Sequence, residues 1–165
     1  MAKKYSSEWW KELRPERIGA ETEALVKAHL DKLSVWQEFA YHRMPDAKAA
    51  RGALSKQPGD YLYGAKVGDN PYAGFIEVKA CKHLYRLERS RLDQLPKLNL
   101  FSMTGYVNYV VVFHYLSGQW RIVDTSRLST DVPSWHLGEL GISSYSSIDQ
   151  AMASKLPFGY FSPRS

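Results

Sequence analysis

The stretch from Val107 to Leu116 (Val-Asn-Tyr-Val-Val-Val-Phe-His-Tyr-Leu) constrains the fold more than any other part of the sequence. β-Branched and aromatic residues favour extended backbone, and a run this uniformly apolar does not alternate in and out of water. It reads as a strand in a centrally buried position. A Ser117-Gly118 turn leads into Trp120 to Asp124 and closes a hairpin. Two shorter apolar strands, Tyr61 to Lys66 and Gly74 to Ala80, form another hairpin, with the Gly- and Pro-containing segment around Gly68-Asp69-Asn70-Pro71 as its loop.

Residues 1–14 are polar around a Trp9-Trp10 pair and read as a short helical arm. Its tryptophans either pack onto the body of the domain or stack on bases. From Pro15 to Leu33 the pattern is helical: Pro15 suits a first helical position, and Ile18, Leu25, Val26, Leu30 and Leu33 supply an apolar side. At about 100° per residue, Glu23 falls close to Leu30 and Val26, while Glu21 points toward Asp31 and Lys32. Glu23 is therefore the acid aimed inward, and an inward carboxylate takes either a basic partner or a metal ion.

Val35 to Tyr41 reads as the first strand. Met44 to Pro58 is a polar insertion carrying Lys48, Arg51 and Lys56, which is either a solvated loop or a set of phosphate contacts. Lys82, His83, Arg86, Arg89 and Arg91 form another basic cluster. A helix follows with Leu92, Leu95 and Leu98 on its buried side, and Pro96 in its first turn places the start near Asp93. Residues 126–165 are rich in Ser, Gly and Pro with scattered aromatics, and they carry no readable motif.

A chain of 165 residues that is 44% apolar is long enough to bury a continuous core as one domain. Within it, 1–14 is an arm, 15–125 the core with the insertion at 44–58, and 126–165 a C-terminal extension. The single Cys81 excludes an internal disulfide, and no apolar run is long enough to span a membrane. The start lacks the apolar stretch of a signal peptide, so the reducing cytoplasm is the expected compartment. A formal net charge of +5 favours a polyanionic partner. No Gly-rich phosphate loop appears, so neither ATP nor a nicotinamide cofactor is implied.

Hydrolysis of a phosphodiester needs a nucleophilic water, neutralisation of charge at phosphorus and help for the leaving oxygen. Mg²⁺, with Mn²⁺ as its substitute, supplies much of this when one or two carboxylates hold it and its other positions are left to water and phosphate. Asp60 and Glu77 lie on adjacent hairpin strands, where they can bring their carboxylates to one edge of the sheet. The carbonyl of Val78 is a further candidate ligand, because strand geometry sends its side chain to the opposite face. Lys79, two residues after Glu77, returns to the face of that acid, where an ammonium orients the attacking water and offsets transition-state charge. Glu23 contributes from the helix, and Gln94 from the start of the next one. Pro45-Asp46 is another acid-bearing dipeptide, but it lies in the polar insertion and does not lead into the hairpin.

This order of helix, strand, Asp, Glu-x-Lys, helix and buried strand resembles the PD-(D/E)XK nuclease superfamily. Within that superfamily the sequence is similar to the RecU-type Holliday-junction resolvases and their phage relatives. Gly19 four residues before Glu23, Gln57-Pro58 leading into Asp60-Tyr61, Glu77-Val78-Lys79 and the later Gln94 carry the likeness over roughly residues 17–125. The resemblance implies a restriction-endonuclease-like α/β core, a mixed central β-sheet flanked by α-helices. It also implies metal-site carboxylates at Glu23, Asp60 and Glu77, a catalytic Lys79 and a homodimer that cuts branched DNA. The insertion would correspond to the stalk that this family places into DNA, making Lys48, Arg51 and Lys56 contacts, with Lys82, Arg86, Arg89 and Arg91 as further DNA-binding candidates.

The expectation is thus a Mg²⁺-dependent endodeoxyribonuclease of recombination or repair. A nuclease of the same fold acting on ends, nicks or specific sequences is the alternative among enzymes, and a basic DNA-binding module the alternative outside them. The four residues Glu23, Asp60, Glu77 and Lys79 argue against a silent module. RNA stays open as substrate, because phosphate contacts do not distinguish sugars.

Overall fold

The computed structural model describes residues 1–46 and 57–161. Its first helices are α1 (Ser7–Glu12) and α2 (Pro15–Leu33), the latter beginning and ending as the Pro15 signal and the apolar periodicity predict. Ile18, Val26, Leu30 and Leu33 of α2 are buried, as are Thr22 and His29 on the same side. Trp10 of α1 is buried edge-on against Phe113, the packing alternative for the tryptophan pair.

Strands β1 (Phe39–Arg43), β2 (Tyr61–Val67), β3 (Asn70–Cys81), β5 (Tyr109–His114) and β6 (Gln119–Asp124) make one five-stranded sheet in the order β1-β2-β3-β5-β6. All neighbours are antiparallel except β3 and β5, which run parallel, so the central sheet is mixed, and helices flank it. Helix α3 (Leu95–Met103) supplies the crossover between the parallel pair, with Pro96 in its first turn as expected.

Two expected boundaries move. The first strand begins at Phe39 rather than Val35: Trp36 N–H donates to Leu33 O and Phe39 N–H to Trp36 O, so the chain is still turning off α2 where its residue types favour extension. The hairpin loop shrinks to Gly68-Asp69, because Val67 pairs with Asn70 and β3 already runs through Pro71, Tyr72 and Ala73.

Every residue of β5 is buried, for a reason visible on both faces. Tyr109, Val111 and Phe113 join Ile76, Ile122 and the apolar side of α2 in one core. Val110 and Val112 join Leu87, Leu92, Leu95 and Trp135 in a second. The second core is roofed by β4 (Arg86–Glu88) paired with β7 (Ser134–His136), so the unreadable C-terminal stretch closes the far face of the sheet. Helix α4 (Ile148–Ala153) packs beside α2, where Asp149 Oδ1 lies 2.7 Å from Nδ1 of the buried His29. Among the described residues no helix is long and apolar enough to cross a membrane.

Candidate active site

Asp60 sits where three strands meet. Its N–H donates to Ile76 O at 2.9 Å and its C=O accepts from Met44 N–H at 2.8 Å, which extends the β1-β2-β3 ladder by one step. Gly59 before it has no room for a side chain, since a Cβ there would stand 3.0 Å from Ile76 O and from the Phe75 Cβ. This close approach turns the Asp60 carboxylate toward β3, where its Oδ2 accepts the Val78 N–H at 2.7 Å.

Strand alternation places Glu77 and Lys79 together, as their spacing predicts: Lys79 Nζ lies 2.8 Å from Glu77 Oε1. The same oxygen accepts Gln94 Nε2–H at 3.1 Å, so the residue preceding α3 joins the group. The Val78 side chain packs toward the opposite core. Burial pushes the Asp60 carboxyl up to about 7, and the charges of Glu77 and then Glu23 add to the rise against the lowering effect of the Val78 N–H and Lys79.

Glu23 reaches this place from α2, but its contact is a cation of the protein: Arg43 Nη2 stands 2.6 Å from Glu23 Oε1 and Nε 3.1 Å from the same oxygen. Arg43 is thus the basic partner of the inward Glu23. Glu21 pairs instead with Arg17 and Lys4, and its side chain is the less exposed of the two acids, 13% against 24%. Helical phase therefore identifies which acid faces the cleft, not which is better shielded.

Glu23, Arg43, Asp60, Glu77, Lys79 and Gln94 line one open cleft of about 520 Å³. Among the described residues its ionisable lining is Glu23, Asp46, Asp60 and Glu77 against Arg43 and Lys79, more acidic than basic in a chain of net charge +5. Oxygen is the donor type that the carboxylates offer, which suits a hard divalent cation such as Mg²⁺ rather than zinc. Among the described residues no three His, Cys, Asp or Glu side chains are gathered into a metal-holding group as they stand, because each carboxylate is drawn to its own protein donor.

No protein-family model matches the sequence, and no curated protein does. In fold the chain is similar to Hjc, a Holliday junction resolvase from the archaeal hyperthermophile Archaeoglobus fulgidus. The likeness covers 71% of this chain and 85% of that one at 22% identity, with a TM-score of 0.44.

Of the sequence candidates, Glu23, Asp60, Glu77, Lys79 and Gln94 meet at the cleft. Lys82, Arg86, Arg89 and Arg91 do not line it; they line other hollows. Lys48, Arg51 and Lys56 lie outside the described residues. Two ionisable lining residues, Asp46 and Arg43, were not selected from sequence. Asp46 is brought to the rim from the start of the insertion, and Arg43 ends β1 beside Asp60. Arg43 belongs to no motif, and its only sequence signal is a cation closing a strand just before the acid-bearing segment.

Proposed function

We propose that this protein is a metal-dependent endonuclease that hydrolyses DNA phosphodiester bonds, with four-way junctions as its preferred substrate. The observation that carries the reading is the acidic cleft itself. A polyanion cannot approach Asp60 and Glu77 favourably unless a cation offsets their charge, and burial, with the charge of Glu77 added to it, already raises the Asp60 carboxyl. Asp60 and Glu77 would hold Mg²⁺, with the Val78 carbonyl as an added ligand and Glu23 reaching it through water. When bound, the metal supplies Lewis acidity toward the phosphoryl oxygens and lowers the pKa of a coordinated water.

The protein's own groups do the rest. Lys79, held by Glu77, lies where an ammonium orients the attacking water and offsets charge on the phosphoryl oxygens. Gln94 fixes the Glu77 carboxylate from the other side. Arg43 offers a guanidinium to a phosphate at the cleft mouth. Water attacks phosphorus opposite the leaving oxygen; one P–O bond forms and one breaks, the water surrenders a proton and the leaving oxygen takes one. Symmetrical cutting of a four-way junction needs two such sites, hence a homodimer.

Labelled four-way junction, linear duplex and single strands, each with and without Mg²⁺, test the reading. Metal-dependent cutting of the junction ahead of the other two is expected. Equal cutting of all three would remove the junction preference, and no cutting of any would remove the nuclease.

A further inference from the structure

A second cleft, of about 480 Å³, opens beside the first, and Lys79 lines both. The charge of the two is opposite. Lys79, Lys82 and Arg91 are the ionisable cations of the second cleft, and no Asp or Glu stands among its described lining residues. Arg91 is held in place without being neutralised, since its Nη1 rests 3.4 Å from the Sγ of the buried Cys81, a neutral thiol. Lys82 and Arg91 continue into a further hollow that also holds Arg86 and one acid, Glu88.

The floor of the second cleft is an open strand edge. Pairing of β2 with β3 begins at Tyr61 opposite Ile76, whereas β3 stays paired with β5 as far as Cys81 opposite His114. Past Ile76, β3 therefore has a strand on one side alone among the described residues. Alternation directs the N–H groups of Val78 and Ala80 to the other side. Asp60 takes the first, and the second opens on the cleft, of which Ala80 is a lining residue.

The wall is open where α2 passes the cleft. Gly19 lies inside α2 on this cleft, and a Cβ built there would meet nothing within 4 Å. A glycine inside a helix costs about 1 kcal/mol relative to alanine. Among the described residues no contact requires a glycine here, and a side chain at this position would extend into the cleft.

We infer that this groove is a second phosphate-binding track, in which Lys82, Arg91 and the Ala80 N–H hold the DNA backbone next to the phosphate that lies at Asp60 and Glu77. Lys79 stands at the junction of the two clefts and so couples seating of the flanking backbone to the reacting group. The inference rests on the nuclease reading only for the identity of the anion as DNA.

The test is fluorescence anisotropy of a labelled duplex and a labelled four-way junction in EDTA, where no cutting occurs, at about 50 to 200 mM salt. Two variants of the full chain are compared with wild type. Gly19→Leu fills the groove with a better helix former, so its melting temperature should match or exceed wild type while affinity falls about ten-fold or more. Lys82→Gln should weaken binding about ten-fold and reduce the slope of log K against log salt by about one. Wild-type affinity in a folded Gly19→Leu overturns the inference. Should that variant fold poorly, an unchanged salt slope in Lys82→Gln overturns it. Loss of binding in the variants together with no cutting by wild type in Mg²⁺ would keep the track and remove the nuclease, whereas normal cutting and binding by both variants would do the reverse. A wild type without affinity for DNA removes both.

Discussion

The Val78 N–H donates to Asp60 Oδ2 at 2.7 Å, so the acid that precedes β2 is tied to the strand that carries Glu77 and Lys79. This bond takes up the one N–H of β3 that the end of β2 would leave open next to the acids. It also leaves Asp60 buried beside Glu77, with its carboxyl pushed up to about 7.

Stability in EDTA should follow from that shift. The carboxyl titrates higher in the folded chain than in the unfolded one, so its stabilising effect is complete below about pH 4 and is lost as pH rises through about 7. Asp60→Asn keeps an acceptor for the Val78 N–H and removes the charge. Its melting temperature should exceed that of wild type by a margin that grows from pH 4 to pH 8, corresponding to about 2–4 kcal/mol at the upper end. Thermal melts at several pH values measure this, and a margin independent of pH would contradict it. Added Mg²⁺ should raise the wild-type melt at pH 8 and leave that of the variant unchanged.

Arg43 and Glu23 predict a separation of stability from activity. The pair lies at the cleft mouth with the Arg43 side chain half exposed, so Arg43→Gln should change stability by about 1 kcal/mol or less. Cutting should fall about 100-fold or more if the guanidinium meets phosphate, in the range found for lost transition-state donors. Parallel melts and single-turnover cleavage check both parts, and full activity in Arg43→Gln would restrict the residue to pairing with Glu23.

His114 predicts a silent imidazole. It is fully buried on β5, its Nδ1–H donates to the carbonyl of His83 at 2.6 Å, and burial, ahead of the nearby Arg121 charge, pushes its pKa down to about 4. The folded value lies below the unfolded one, so the stability that it contributes is present above about pH 6.5 and is lost as pH falls through about 4. In an NMR titration of the five histidines, the His114 ring should show no shift between pH 7.5 and 5.5. His114→Asn, which can still donate to His83, should lose less stability than wild type over the acid limb.

Local rules carried much of this molecule and failed where distant parts of the chain decide. Pro15 and the spacing of Ile18, Val26, Leu30 and Leu33 are signals internal to α2, and both ends of the helix follow from them. Glu77 and Lys79 meet because side chains two apart on a strand share a face. Val35 and Trp36 favour extension, yet they lie in the turn after α2, where the ring of Trp36 packs against Phe161 from the far end of the sequence. Asn70 and Pro71 look like loop residues and sit within paired strands, because the register set by the Gly68-Asp69 turn outweighs their preference. Trp135, Leu137 and Ile142 enter the second core without any periodicity to announce them. Asp46 and Arg43 gather at the cleft by tertiary placement alone.

The most direct measurement is cleavage of end-labelled four-way junction DNA by wild type, Glu77→Gln and Lys79→Ala, in Mg²⁺ and in EDTA. Wild type should cut in Mg²⁺ and not in EDTA, both variants should cut about 100-fold or more slowly, and Glu77→Gln should still bind the DNA. Cutting by wild type in EDTA, or wild-type rates in either variant, would contradict the placement of a metal-dependent nuclease at Asp60, Glu77 and Lys79.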